Sequence, residues 1–420
     1  MNLSPVVIAI PMYFILMGIE LLVLRFQKNP SYRLNDAITN INCGVVSQVT
    51  GVFLKVLSIG IYTFLFEKLA LFSIPNNIWT FLLLFFLYDF CYYWAHRLSH
   101  EINLFWGGHV VHHSSEEYNL SVALRQSSTQ TIWTFMFYLP LAVIGFDPIS
   151  LVLVSGINLL YQFWIHTEAI DRMGFLEKFM NTPSHHRVHH GRNPKYIDKN
   201  HGGTFIIFDK WFGTFQEEEE RPTYGITTPV NSWNPVWVNL AHYATMKEEL
   251  KMIPKFSDKV KYLFNKPGWL PEYLGGYRTV KEVPKDFKKF DTTVPAPLNY
   301  YVFFQYVLLL GLTAFFLFNV SSFDAWAKLG VSVLIIWTTV SFSGIFEQNR
   351  WFQFQEIFRI AVFGVGIWWI SNGMLSGPFP ILLSVLISSV SYIWLVFNFD
   401  TIRHFQSNIK KPGIHATKTV

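Results

Sequence analysis

Residues 78–113, IWTFLLLFFLYDFCYYWAHRLSHEINLFWGGHVVHH, connect an apolar stretch directly to five histidines. The hydrocarbon core of a bilayer is about 30 Å thick, and a helix needs about 20 apolar residues to cross it. The part from Ile78 to Trp94 comes close to that length and is a candidate membrane span. The histidines that follow it are therefore expected at one face of the membrane.

The composition of the whole chain also favours a membrane protein. Of the 420 residues, 51% are hydrophobic and only 15% are charged, whereas an average soluble domain has about 25% charged residues. The mean hydropathy is +0.27. Two cysteines, Cys43 and Cys91, are too few for a disulfide framework. These values exclude a disordered chain, a disulfide scaffold and an ordinary cytosolic enzyme.

Candidate spans form two blocks on either side of a polar segment. The first block contains about Val6–Leu24, Gly44–Phe66, Ile78–Trp94 and the longer stretch Thr131–Ile165, which Gly145-Phe146-Asp147-Pro148 divides into a hairpin. The second block contains Tyr300–Phe318, Ala325–Phe346, Ile357–Ile370 and Phe379–Phe397, with Ser376-Gly377-Pro378 before the last. We predict an all-α, polytopic integral membrane protein with a core domain at 1–298, including a polar cap at about 171–298, and a C-terminal transmembrane domain at 299–420.

Lysine and arginine near the spans indicate the orientation of the chain. With nine crossings, the basic segments all fall on one side, which we predict to be cytoplasmic, with the N-terminus opposite. They include Arg25, Lys28, Arg33, the segment from Arg172 to Lys289, and Arg403, Lys410, Lys411 and Lys418 in the tail. The net charge of +5 reflects this orientation. No nucleic-acid partner is expected, because no basic–aromatic motif accompanies the charge.

Eleven of the fourteen histidines lie between His96 and His201. Positions i, i+3 and i+4 share one face of a helix, so each cluster is expected to direct its imidazoles to a common point. The candidate ligands are His96 and His100; His109, His112 and His113; His166 at the end of the hairpin; and His186, His189 and His190. We interpret His242, His404 and His415 as interfacial polar residues.

Imidazole is a ligand for zinc, copper, iron and nickel. A tetrahedral zinc takes about four ligands, so eight or nine converging histidines suit two ions. A role in metal transport or storage stays open. A transporter of another substrate is disfavoured, because the histidines lie at one membrane face and transporter sites lie near the midplane.

The three-part pattern His-x3-His, His-x2-His-His and a second His-x2-His-His after a hydrophobic hairpin resembles the membrane fatty acid hydroxylase/sterol desaturase superfamily. Within it, the chain is most similar to the alkylglycerol (glyceryl-ether) monooxygenases, in His96–Glu101, His112–Ser121, Ala123–Ser127, Gln162–Glu168, Thr182–Asn193 and Ile197–Asn200. His201 departs from the pattern, because an aromatic residue is expected there. The spacing selects His186 as a ligand over His185. It is open whether His185 or His201 also contacts metal.

The resemblance implies a helical di-metal hydroxylase core with two irons that activate O2 and hydroxylate a lipid. The implied reaction hydroxylates the carbon next to the ether bond of an alkylglycerol and releases a fatty aldehyde. Tetrahydrobiopterin is the implied electron donor; in other members a cytochrome b5 or a ferredoxin-like protein serves. Zinc can replace iron at such ligands. The implied location is a bacterial inner membrane or the endoplasmic reticulum, with the active site on the cytoplasmic face.

Glu101 is the candidate catalytic carboxylate. It follows His100 directly and cannot share its helix face, so we expect it to orient an imidazole or handle a proton without binding metal; a solvated helix-end carboxylate is the alternative. Glu116, Glu117 and Asn119 are weaker candidates, and Arg125 is a candidate contact for a lipid phosphate or a cofactor.

Two other functions remain open. One is a sterol desaturase or a fatty acid or carotenoid hydroxylase that uses the same irons. The other is a zinc-dependent membrane hydrolase, which needs neither O2 nor a reductant.

Overall fold

The computed structural model describes residues 9–29, 31–284, 286–349, 351–372 and 377–398. The regular secondary structure of these residues is helical, with two isolated β-bridges and no β-strand among them. The predicted all-α class is thereby confirmed. Parts of the sequence interpretation lie outside the described residues: Val6, Ser376, His404, His415 and the basic residues Arg403, Lys410, Lys411 and Lys418.

The helices are numbered here in chain order. They are α1 (Ile10–Phe26), α2 (Leu34–Leu69), α3 (Ile78–Glu101), α4 (Asn103–His113), α5 (Leu120–Ala123), α6 (Gln130–Ile144, with a 3-10 turn at Phe135–Tyr138), α7 (Pro148–Trp164), α8 (Pro183–His189), α9 (Ile207–Phe212), α10 (Pro235–Met252), α11 (Phe256–Phe264), α12 (Ala296–Phe318), α13 (Ala325–Phe346), α14 (Phe352–Asn372) and α15 (Phe379–Phe397). Short 3-10 helices lie at Gly174–Lys178, Pro194–Tyr196, Glu272–Leu274 and Val320–Ser322.

The chain is a multi-pass membrane protein built from two compact units. The first extends to Phe290 and includes Leu317–Val320, and the second contains Asp291–Phe316 and the chain from Ser321 onward. Six of the described helices, α2, α3 and α12 to α15, are long and apolar enough to cross a membrane. The other predicted spans, α1, α6 and α7, have 17 residues or fewer, so nine crossings remain a prediction.

Helix α2 begins at Leu34, well before the predicted start of its span at Gly44. Its 36 residues extend about 54 Å, which exceeds the thickness of the hydrocarbon core. The first turns carry buried polar side chains: Asp36 accepts hydrogen bonds from the Ser115 hydroxyl at 3.0 Å and from the Asn40 amide at 2.8 Å. A hydropathy window does not detect these turns, because it counts their polar side chains and not the hydrogen bonds that these side chains form inside the protein.

Helix α3 begins at a capping box. The Asn77 side chain accepts hydrogen bonds from the backbone N–H groups of Trp79 and Thr80, at 2.9 and 3.1 Å, and so satisfies donors that the helix leaves free. The helix continues past the predicted end at Trp94 to Glu101. The apolar span and the first two histidines therefore belong to one continuous helix.

The apolar stretch after α5 breaks at Gly145, which has a φ of +118°. A Cβ atom at this position would lie 2.0 Å from the Phe72 carbonyl oxygen, so only glycine fits the turn. Asp147 then caps α7 by accepting the N–H groups of Ile149 and Ser150 at 3.0 Å. The return arm α7 packs against α3, which brings the end of the hairpin toward the histidines.

In the second unit, α14 extends beyond the predicted span Ile357–Ile370 to Phe352–Asn372. Its first turns contain a fully buried ion pair, Glu356 and Arg359, with Arg359 Nε 2.9 Å from the carboxylate. Tyr301 and Ser341 donate hydroxyl hydrogen bonds to the same carboxylate. A hydropathy criterion excludes these turns because it counts the charges and not their pairing.

Candidate metal centre

Four segments of the first unit bring their histidines together. His96 and His100 lie one turn apart at the end of α3, and α4 carries His109, His112 and His113 on its last turns. His166 lies two residues after the end of α7, and α8 and the residue after it supply His186, His189 and His190. Each of these nine side chains is buried.

Five of the histidines form a first group. A ligand nitrogen from each lies within 4.8 Å of all the others: His96, His100, His109, His113 and His189. His109 Nε2 lies 2.9 Å from His96 Nε2 and 3.1 Å from His113 Nε2. Three helices, α3, α4 and α8, contribute to this group.

The other four histidines form a second group with the same spacing limit: His112, His166, His186 and His190. His166 Nε2 lies 3.2 Å from His112 Nε2 and 3.0 Å from His186 Nε2. The clusters of the sequence therefore do not map one to one onto the groups. We expected each cluster to direct its imidazoles to one point, but successive residues of a helix point about 100° apart, so neighbours such as His112 and His113 belong to different groups.

Backbone carbonyls fix the orientation of four imidazoles. The Nδ1–H group of each donates to a carbonyl oxygen: His96 to His201 (2.7 Å), His112 to Arg125 (3.1 Å), His166 to Gln162 (2.7 Å) and His189 to Lys199 (2.9 Å). Because a carbonyl can only accept, the proton stays on Nδ1 and the Nε2 lone pair remains available. This is the tautomer that an Nε2 metal ligand requires.

Burial keeps these imidazoles neutral. It lowers the pKa of His112 to about 4 and lowers the pKa of His113 and His190 well below the usual value for histidine. Neutral histidine is the form that binds metals. In addition, the Nε2 atoms of His100, His189 and His190 have no hydrogen-bond partner among the described residues, and an unpaired buried polar atom is costly.

This donor set suits transition-metal ions. Neutral imidazole nitrogens that face one another at about 3 Å repel through their lone pairs unless a proton or a cation lies between them. Two groups of five and four nitrogens match two ions of the imidazole-binding class, which includes iron and zinc. The residues present therefore fit a dinuclear metal site.

The other three histidines in the described part of the chain lie outside both groups. His185 places its ring 5.4 Å from that of Phe215, and His242 hydrogen-bonds Asn103 at 3.0 Å. His201 is fully buried, with its ring 5.0 Å from that of His100. The backbone carbonyl of His201 orients the ring of His96.

Glu101 pairs with two cations. Its carboxylate lies 3.2 Å from Arg97 and 3.9 Å from Lys266. Lys266 also lies 3.1 Å from Asp198, whose other carboxylate oxygen is 3.9 Å from His100 Nδ1. The link from Glu101 to an imidazole thus passes through Lys266 and Asp198.

The weaker candidates contact other parts of the protein. Glu116 accepts the N–H group of Phe290 at 2.5 Å, Glu117 pairs with Arg33 and Lys289, and Asn119 caps α5. Arg125 is buried, and it donates to the Val111 carbonyl at 2.8 Å and to the Asn40 amide oxygen at 2.8 Å. It therefore holds the end of α4, where two candidate ligands lie.

Two buried acids that the sequence interpretation missed hold the segment after α8. Asp89 accepts the N–H groups of Thr204 and Phe205, both at 2.8 Å, and the Asn158 amide at 2.6 Å. Asp209 accepts the N–H group of His201 at 2.7 Å, and burial raises its pKa to about 6. The sequence contained a signal for Asp89, because an acidic residue inside an apolar span usually has a structural or functional role.

Comparison with known proteins gives a consistent set of relatives. A family model for fatty acid hydroxylase matches residues 81–214. The alkylglycerol monooxygenase of Homo sapiens is 39% identical over 360 residues, which cover 84% of this chain and 80% of that protein. The alkylglycerol monooxygenase of Caenorhabditis elegans is 33% identical over 355 residues, covering 78% and 69%. An ornithine lipid hydroxylase of Rhizobium tropici is 28% identical over 146 residues, covering 34% and 44%. No solved structure shows significant similarity to the chain.

Proposed function

Because the chain belongs to the alkylglycerol monooxygenase family and carries a fatty acid hydroxylase domain, we propose that it hydroxylates the carbon next to the ether oxygen of alkylglycerols. The chain is an oxidoreductase of lipid metabolism, and its family generally uses iron. The proposal extends this to two irons, held by the nine histidines, and to the ether lipid as substrate.

One observation carries the metal assignment: nine buried imidazoles form two groups with mutually close ligand nitrogens. His96, His100, His109, His113 and His189 would hold one iron, and His112, His166, His186 and His190 the other. Bound irons would supply the activation of O2 and the transfer of one oxygen atom into a C–H bond. The carbonyl-bound Nδ1–H groups would hold the rings in place during turnover.

The position of the groups suits a lipid substrate. The first group lies where α3, an apolar span, ends in the polar part of the first unit. An alkyl chain can thus remain among apolar helices while its polar head group meets the cap. Exclusion of water there would protect a reactive oxidant from side reactions.

The proposed reaction consumes the ether lipid, O2, two electrons and two protons, and yields a hemiacetal and water. The hemiacetal then separates into a fatty aldehyde and a glycerol derivative. The chain has no Rossmann glycine motif and no haem motif, so we infer that the electrons come from an external donor, either tetrahydrobiopterin or an electron-transfer protein.

Membranes that contain the iron-loaded protein test this function directly. We expect them to release fatty aldehyde from an alkylglycerol in the presence of O2 and reduced tetrahydrobiopterin. One atom of labelled O2 should be found in the aldehyde when it is trapped before its oxygen exchanges with water. Parallel reactions with reduced cytochrome b5 or ferredoxin would identify the donor. A protein with full iron content that forms no aldehyde with any of these donors would refute the substrate assignment.

Two further experiments separate the alternatives. A deletion strain that accumulates alkyl lipids supports the proposal, whereas a change in sterol, carotenoid or acyl hydroxylation supports another lipid substrate. Lipid cleavage that continues under strict anaerobiosis supports a zinc hydrolase. We further propose that the site faces the cytoplasm, in a bacterial inner membrane or the endoplasmic reticulum. Protease access to the segment 171–290 in sealed vesicles of known orientation tests this placement.

A further inference from the structure

Two stacked tyrosines connect the second group of histidines to the surface of the first unit. The ring of Tyr118 lies 5.8 Å from that of His166, with an interplanar angle of 27°, and 5.3 Å from that of His190. Tyr118 also stacks with Tyr224, with the ring centroids 4.8 Å apart and an interplanar angle of 15°. The four rings thus form a continuous aromatic contact that begins at two candidate metal ligands.

The far end of this stack has a proton acceptor. The Tyr224 hydroxyl donates a hydrogen bond to the carboxylate of Glu168, and Arg221 forms an ion pair with the same carboxylate. The Arg221 side chain is 46% exposed, whereas Tyr118 is only 1% exposed. The path therefore runs from a buried site to solvent through two aromatic rings and one ion pair.

The two phenols differ in what oxidation would require. Loss of one electron makes a phenol strongly acidic, so the proton must leave to a nearby base. The Tyr118 hydroxyl donates to the Ile165 carbonyl at 3.1 Å, which is not a base. Tyr224 has a carboxylate in place, and it is the phenol of this pair that can release its proton.

We propose that Tyr118 and Tyr224 form a one-electron relay that discharges the metal centre when it becomes oxidised with no lipid in place. The proposal rests on the proposed di-iron function. In the step, Tyr224 would lose one electron by way of the stacked Tyr118 ring to irons that O2 has oxidised and that His166 and His190 would help to hold, and each such step would remove one oxidising equivalent. The phenolic proton passes to Glu168, which leaves a neutral Tyr224 radical. An external one-electron reductant at the Arg221 surface, together with the proton on Glu168, then restores the phenol.

Such a relay would protect the site. The surroundings of the centre are rich in imidazoles, which a trapped oxidant would attack. Transfer of the oxidising equivalent to Tyr224 places the radical near the surface, where a soluble reductant can reduce it. The relay would matter only when O2 is activated without productive hydroxylation.

Freeze-quench electron paramagnetic resonance of the full-length protein tests the relay. The iron-loaded protein is reduced with stoichiometric dithionite and mixed with O2 in the absence of lipid. We expect an organic radical whose hyperfine structure collapses when the protein contains ring-deuterated tyrosine. A radical that is unaffected by this label, for instance one on Trp106 beside His100, would overturn the proposal.

The Tyr224→Phe variant keeps the stacked ring and removes the hydroxyl that contacts Glu168. We expect it to lose the radical, and to survive several-fold fewer cycles of lipid-free reduction and oxygenation before iron is lost. Tyr161→Phe is the matched control, because Tyr161 donates to the Asn181 carbonyl at 2.7 Å and should leave both readouts unchanged. The isotope experiment on the unsubstituted protein decides the matter if Tyr224→Phe does not fold.

The outcomes separate the relay from the function on which it rests. If the iron-loaded protein forms no aldehyde from an alkylglycerol with any of the donors named above, the proposed function is wrong and the relay falls with it. If it forms aldehyde but consumes no O2 in the absence of lipid, the relay alone is wrong. If it consumes O2 and forms no tyrosyl radical, or if the radical persists in Tyr224→Phe, the relay alone is wrong.

Discussion

The imidazoles of His113 and His190 stack with their centroids 4.4 Å apart, although the two side chains belong to different groups of candidate ligands. Rings of the two groups thus pack directly against each other, and two ions bound there would be close neighbours. A defect in one group should therefore disturb the other.

Alanine at His113 or at His190 should abolish turnover. We expect His113→Ala and His190→Ala each to lower the iron content while the protein remains in the membrane, because the spans do not depend on the metal. Iron analysis of the purified protein and the aldehyde assay measure this. His242→Ala is the control, since its ring contacts Asn103 outside both groups. Full activity in His113→Ala or in His190→Ala would contradict the ligand assignment.

The metal-free protein should lose stability in mild acid. Burial lowers the pKa of His112 to about 4, against about 6.5 in an unfolded chain, so the unfolded state binds more protons between these values. Stability should then fall as the pH drops from about 6.5 toward 4, by up to about 1.4 kcal/mol per pH unit for each such histidine. Thermal unfolding of chelated protein across this range measures it. A flat profile would show that the histidines are not buried in the metal-free state.

Asp89 should be essential for the stability of the segment after α8. Asp89→Ala leaves two backbone N–H groups and an amide without their acceptor, which costs about 1–3 kcal/mol for each buried donor. Gly203→Ala should act similarly, because its Cβ would lie 2.5 Å from the Asp89 carboxylate. Both should lower the thermal midpoint and the iron content. Gly60→Ala offers a comparison, because that position lies inside α2 and open space surrounds it; a larger loss there than at Gly203 would be inconsistent with this account.

Glu101→Gln should retain iron and lose catalytic rate. The carboxylate reaches His100 only through Lys266 and Asp198, so we expect a lower kcat and an altered pH profile, with the metal content unchanged. Glu248→Gln removes an exposed pair with Lys251 and should change neither. An unaltered kcat and pH profile in Glu101→Gln would identify Glu101 as a solvated carboxylate at the end of a helix.

The buried pair in the second unit should show strong coupling. Glu356→Leu or Arg359→Leu alone leaves an uncompensated buried charge, which costs about 3–5 kcal/mol. We expect the double substitution to cost less than the sum of the two single ones, because it removes both charges together. Thermal unfolding of the full chain in detergent measures all three. Additive losses would show that the two side chains do not depend on each other.

Much of the helical architecture was predictable, because hydropathy reports directly on the apolar spans. Helices α2 and α14 begin before the predicted spans for a common reason. Asp36 near the start of α2 and Glu356 near the start of α14 are polar residues that pair inside the protein. Each of these residues lowers the mean hydropathy of its window. Only the three-dimensional structure shows the partner that stabilises the buried charge.

For the site, helical spacing indicated which histidines share a face, but it could not assign them to groups. His189 and His190 are adjacent in sequence and belong to different groups. Their assignment depends on how α8 is rotated against α4, and this rotation depends on long-range contacts such as the hydrogen bond from Asn200 to the His185 carbonyl. No local pattern contains that information.

The carbonyl acceptors behind His96, His112, His166 and His189 have an evolutionary consequence. Every amino acid supplies the same carbonyl oxygen, so the side chains at 199 and 201 can change without removing the acceptor of a ligand ring, whereas Arg125 also holds the end of α4 through its side chain. Position 201 illustrates this tolerance, because it holds a histidine where an aromatic residue was expected. The orientation of these ligand rings is thus insulated from a change of side chain at such positions, and related enzymes can vary there without losing the carbonyl acceptor.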